Sequence, residues 1–84
     1  MTTTPSKTIT DVVTDFLASA PSLEALAVYR LPDDLQQYAH YLLDMNRAGS
    51  LSEQERRDME EFREIDHLLT LVKAKAKLRL KDQG

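Results

Sequence analysis

Between Ser52 and Gly84 the chain contains neither glycine nor proline. Nothing in that stretch stops a helix, and its opening tetrapeptide starts one. In Ser52-Glu53-Gln54-Glu55 the serine hydroxyl is placed to accept from the third helical amide, and Glu55 can reach back to the Ser52 amide. A single helix over about 53–80 is expected, roughly 40 Å long at 1.5 Å per residue. A domain of 84 residues is narrower than that, so one end of the helix should overhang.

The end of this stretch offers a competing reading. Val72-Lys73-Ala74-Lys75-Ala76-Lys77-Leu78-Arg79-Leu80-Lys81 alternates apolar and basic residues, the pattern of a strand with one wet face. Composition decides against the strand. Alanine, leucine, lysine and arginine are among the best helix formers, only Val72 is β-branched, and no turn residue separates the segment from the capped start. As helix, the segment completes two apolar sectors on a wheel of ~100° per residue. Phe62, Ile65, Leu69, Val72, Ala76 and Leu80 fall on one side, and His67, Leu71, Ala74 and Leu78 on the other. A helix lying on its own core needs only the first sector. The second is expected to be covered by something else.

Upstream, the hydrophobic spacing continues as helix. Ile9, Val12, Val13, Phe16 and Leu17 share a face, with Thr8 and Asp11 as a capping pair at its start and Ala20-Pro21 as its end. Ser22 can cap a short helix over Leu23–Val28, with Leu23, Leu26 and Ala27 inward. Pro32 suits the first helical position, and Asp33 and Asp34 face the positive end of the dipole. Leu35, Tyr38, Ala39, Leu42 and Leu43 form that helix's apolar stripe, and Gly49 is its left-handed cap. The expectation is an all-α chain: a flexible arm over 1–7, then one domain over 8–84. Within the domain a helical hairpin of about 32–48 and 53–80 is joined by one or two shorter N-terminal helices.

Charge and composition narrow the function. The net charge is −3 and the pI about 5.2, so no global basic field exists for nucleic acid. Met1–Ser6 is polar, and no apolar run approaches the ~20 residues of a membrane span. A cytoplasmic chain is therefore expected. No cysteine is present, and His40 and His67 are the only imidazoles. Neither disulfides nor an all-protein zinc cage is expected to supplement a small core, so oligomerisation is a natural source of stability. Glu64-Ile65-Asp66-His67 contains the E-x-x-H spacing of carboxylate metal bundles, with Glu60 one turn earlier. No second E-x-x-H accompanies it, and short acidic helices carry this spacing by chance, so no metal site is expected. There is no glycine-rich phosphate loop, and sequence places no nucleophile or carboxylate beside His40. An enzyme is not expected, nor is a cofactor.

Along the long helix, acidic residues crowd the first half and Lys73, Lys75, Lys77, Arg79 and Lys81 the second. This compensates the helix dipole, and it would also complement an antiparallel copy of the same helix. Two functions remain in view. One is a protein–protein interaction module using His67, Leu71, Ala74 and Leu78, flanked by Lys75, Lys77 and Arg79, to form a homodimer or grip a cognate protein. The other is a nucleic-acid-associated regulator using the basic helix end. A helix-turn-helix reading, with Gln54, Arg56 and Arg57 at bases, sets Glu53, Glu55 and Asp58 against phosphates. No aromatic side chain interleaves with the lysines for base stacking.

A longer string adds to this reading. Arg30-Leu31-Pro32, Leu35-Gln36, Leu42-Leu43, Asn46-Arg47, Gly49, Leu51-Ser52, Glu55, His67, Leu69 and Lys73-Ala74-Lys75-Ala76 with Leu78 span residues 30–80. In that arrangement the chain resembles a family of short, largely uncharacterised bacterial all-helical proteins, some labelled antitoxin-like. The resemblance implies a small helical partner-binding protein and says nothing of the first helix.

Overall fold

The protein is described by a computed structural model covering residues 5–83. Four helices form: α1 (Ile9–Ala18), α2 (Leu23–Ala27), α3 (Asp33–Arg47) and α4 (Glu53–Gln83). The fold is all-α, and the alternating segment is helix to its end. Of the expected N-terminal arm, residues 1–4 lie outside the described residues, as does Gly84.

Local chemistry accounts for each boundary. The Thr8 hydroxyl accepts from the Asp11 amide at 3.1 Å, and the Ser22 hydroxyl accepts from the Ala25 amide at 3.1 Å. Pro32 sits one position earlier than expected, as the N-cap of α3. Its ψ of 152° is extended, so the helix proper begins with Asp33, while the Pro32 carbonyl still accepts from Gln36 N at 3.1 Å. At the other end of α3, Gly49 adopts φ +69°. The Ser50 amide donates to Met45 O at 2.9 Å and the Gly49 amide to Asn46 O at 3.1 Å, which is a Schellman closure. The capping box of α4 is complete: Glu55 N donates to Ser52 Oγ at 3.1 Å, and Ser52 N donates to Glu55 Oε1 at 3.0 Å. The short α2 ends at Ala27 rather than Val28, which instead caps it and stands 72% exposed.

α1 stops just before Ala20-Pro21 as expected, through a conformation that the spacing does not foretell. Ala20 adopts φ +56°, the left-handed region that glycine usually fills. Pro21 follows it, so the amide that would close a Schellman motif does not exist.

Packing is organised on α4, which α1, α2 and α3 each contact. At about 1.5 Å per residue the 31 residues of α4 account for nearly the whole 48 Å length of the molecule. The radius of gyration is 14.7 Å, against about 12 Å for a compact domain of this length. One core cluster joins Ile9, Val13, Leu35 and Leu69; a second joins Tyr38, Leu42 and Met59; Phe62 packs against both. Farther along, Ala27 of α2 and Ala76 of α4 are both buried, so small residues line the part of the molecule where the short helix approaches the long one. Phe16 stacks on Tyr29 at 4.1 Å between ring centroids, and Lys73 Nζ donates to Tyr29 O at 2.8 Å. Together these tie the α2–α3 connection down onto α4.

Candidate interaction surface

The first apolar sector of α4 is the one used internally. Leu69 and Ala76 are buried, and Phe62, Ile65, Val72 and Leu80 are half-buried. Because α1, α2 and α3 all approach from that side, nothing among the described residues reaches the opposite one. His67, Leu71, Ala74 and Leu78 are all exposed there. Leu71 stands 47% and Leu78 61% exposed, and Leu68, beside them on the wheel, 46%. Leu68 was missed from sequence because it falls between the two sectors.

Of the expected flanking cations, Lys75 lies directly beside this row. Lys77 borders its other side, next to Thr70 and Ala74 in a shallow depression. Arg79 sits ~100° round the helix from Leu78 and so is not brought into the row. The ion pairs among the described residues are Lys7–Asp15 at 3.4 Å, Arg47–Asp44 at 3.8 Å and Arg57–Glu53 at 3.8 Å, all exposed. None draws on the charges around the leucine row.

Burial raises the Tyr29 phenol in the α2–α3 connection, and three further perturbed groups lie along the α3–α4 seam. Tyr38 Oη donates to Asp58 Oδ2 at 2.5 Å, and Tyr41 Oη donates to Glu55 Oε2 at 2.6 Å. Burial first, and then the Asp58 carboxylate, push the Tyr38 phenol well above its ordinary range. The hydrogen bond to Glu55 raises Tyr41. The Ser52 amide first, then the Tyr41 hydroxyl, hold the Glu55 carboxyl below its usual value. A carboxylate–phenol bond between the two arms of the hairpin contributes to each shift and leads in Tyr41. That is a structural role, and it removes Tyr38 and Tyr41 from the pool of free acids. Thr10 Oγ1 makes a further short bond to Glu61 Oε2, fixing α1 to α4.

Glu60, Glu64 and His67 are exposed, and no three metal-ligating side chains converge among the described residues. On the far side of the hairpin a groove of about 270 Å³ is lined by Leu31, Ala39, Leu43, Met59 and Phe62, with Arg63 and Asp66 at its rim. Leu43, expected in the core, stands 44% exposed at that groove, because α1 and α2 pack elsewhere on the hairpin. Met59, three residues before Phe62, is buried instead and extends the inner stripe by a turn. No helix among the described residues is long and apolar enough to cross a membrane. No protein-family model, curated protein or solved structure matches the chain.

Proposed function

We propose that the protein is a small, non-enzymatic interaction module, antitoxin-like in the sense of acting by covering a partner, and that it self-associates through the outer face of α4. One observation carries this reading: Leu68, Leu71 and Leu78 form a continuous half-exposed row on a helix whose inner face is already satisfied. Scattered exposed leucines are ordinary, but a row at helical spacing on one face is the pattern of a helix-binding surface. The elongated shape adds to it, since the row is presented along a rod rather than on a sphere.

A single helix pair lies at the small end of specific interfaces, so association should be weak, roughly micromolar. Replacing both Leu71 and Leu78 by Asp should convert the protein to a monomer in sedimentation velocity. Far-UV circular dichroism should stay unchanged, because neither side chain touches the core. A double variant with the oligomeric state and partner affinity of the parent would overturn the reading. The basic end of α4 supports the nucleic-acid alternative less well. Lys75, Lys77, Arg79 and Lys81 are spread around the helix instead of forming one stripe for phosphates. Duplex retention with a steep salt dependence would favour that alternative.

A further inference from the structure

The outer row of α4 has a stricter order than apolar exposure alone requires. Glu64, His67, Leu71, Ala74, Leu78 and Lys81 follow one another at spacings of three, four, three, four and three, a heptad seam, and all six are exposed. They are also arranged about a centre. Glu64 and Lys81, His67 and Leu78, and Leu71 and Ala74 are each placed symmetrically about the midpoint between Val72 and Lys73.

Resting on the self-association reading, we infer that the occupant of this face is a second copy of the chain, paired antiparallel about that midpoint. In this register each Leu71 meets Ala74 of the second copy, large against small, in two adjacent central layers. His67 then meets Leu78 of the second copy, and Glu64 meets Lys81 of the second copy at both ends. Antiparallel seams pair the two types of heptad position across the interface, and these three pairings obey that rule. Beside the seam, Leu68 falls against the aliphatic stem of Lys75 of the second copy, which covers the remaining half-exposed leucine. The one adverse pairing, Glu61 with Asp82 of the second copy, lies at the outer edge, where Glu61 already accepts from Thr10.

Other arrangements of the same helix fare worse. In a parallel pair Glu64 faces Glu64 and Lys81 faces Lys81, and the two Ala74 residues leave a gap between leucine layers. Sliding the antiparallel copies one heptad sets Glu64 against Ala74, or, in the other direction, Lys81 against Leu71. Only the centred register sets Leu71 against Ala74 with opposite charges closing both ends of the seam. A polar seam residue such as His67 further restricts register, because any slip buries it differently.

The chain has no cysteine, so single cysteines report pairing cleanly. The full-length E64C and K81C variants are prepared separately, mixed, and treated with a short bis-maleimide. The centred register predicts a crosslinked dimer in the mixture and little from either variant alone, since Glu64 lies about 25 Å along the axis from its own counterpart. Crosslinking of E64C alone would overturn the antiparallel arrangement. Dimers that form and are broken by L71D/L78D, yet crosslink in none of these samples, would overturn the register while leaving the interaction face standing. A protein that stays monomeric at every concentration would overturn both. As a check free of crosslinker, Glu64→Lys and Lys81→Glu should each weaken dimerisation roughly fivefold, and the double exchange should restore it, because it recreates both end pairs. A double variant as weak as the two losses combined would also overturn the register.

Discussion

Ala20 is a defect in an otherwise well-capped chain, and Ala20→Gly should stabilise it. The residue closes α1 in the left-handed region at φ +56° and is exposed, so the substitution touches no packing. An L-residue pays roughly 1–2 kcal/mol to occupy that region, a penalty glycine avoids. Glycine's larger freedom in the unfolded chain offsets about 0.4–1 kcal/mol of the gain. The net stabilisation is therefore about 0.5–1 kcal/mol. Unfolding entropy near 2.1 cal/mol/K per residue over 84 residues converts this to a rise in Tm of about 3–6 °C. The assay is a far-UV circular dichroism melt at a dilution where self-association contributes nothing to Tm. Ala18→Gly is the matched control: it is also exposed, but as the last helical residue of α1 it has no left-handed strain to relieve, so glycine there costs up to roughly 0.5–1 kcal/mol. Opposite signs at residues 18 and 20 are expected. If both variants lose stability equally, the strain assigned to Ala20 does not exist.

The seam between α3 and α4 supplies two more tests. Tyr38→Phe should cost about 1.5 kcal/mol in urea unfolding, since it deletes a buried phenol's bond to a carboxylate. Tyr41→Phe, acting on a half-buried residue where Tyr38 is buried, should cost less, and the reverse order would refute this account of the seam. The Glu55 carboxyl is held below its ordinary 4.5 in the fold, so its contribution is fully present above that value and is lost as pH falls through the lower, folded one. Glu55→Gln should flatten the acid side of the stability–pH profile, and an unchanged profile between about pH 6 and 3 would show that the capping carboxylate is not its source.

Much of the frame was legible because it is written in local chemistry. Ser52 with Glu55, Ser22, Thr8 and Gly49 each act within five residues, and each helix began or ended within a residue or so of those signals. What escaped the sequence was either non-local or against type. The bonds from Tyr38 to Asp58 and from Tyr41 to Glu55 join residues 20 and 14 apart, and no spacing rule foretells them. Ala20 carries no sequence mark of its left-handed turn, because the residue that would have marked it is glycine. Leu43 has the spacing of a core residue on α3, and only the placement of α1 and α2 elsewhere on the hairpin leaves it at a groove.

The alternation in Val72–Lys81 is the point at which local pattern and function meet. A step of two residues turns a helix through ~200°, so apolar residues at every second position are thrown alternately to opposite sides. Val72, Ala76 and Leu80 go inward; Ala74 and Leu78 go outward. In a chain whose only need was a core, the outward positions would be polar, and the inner row would lose nothing by it. Leucine at 71 and 78, exposed at 47% and 61%, is instead maintained on a face the fold does not cover. The lysines between them fall at flanking positions, where their charge limits indiscriminate aggregation and their stems still shield apolar surface. A two-faced helix of this kind is a strand-like sequence in helical form. The apolar residues it carries exceed what the core uses.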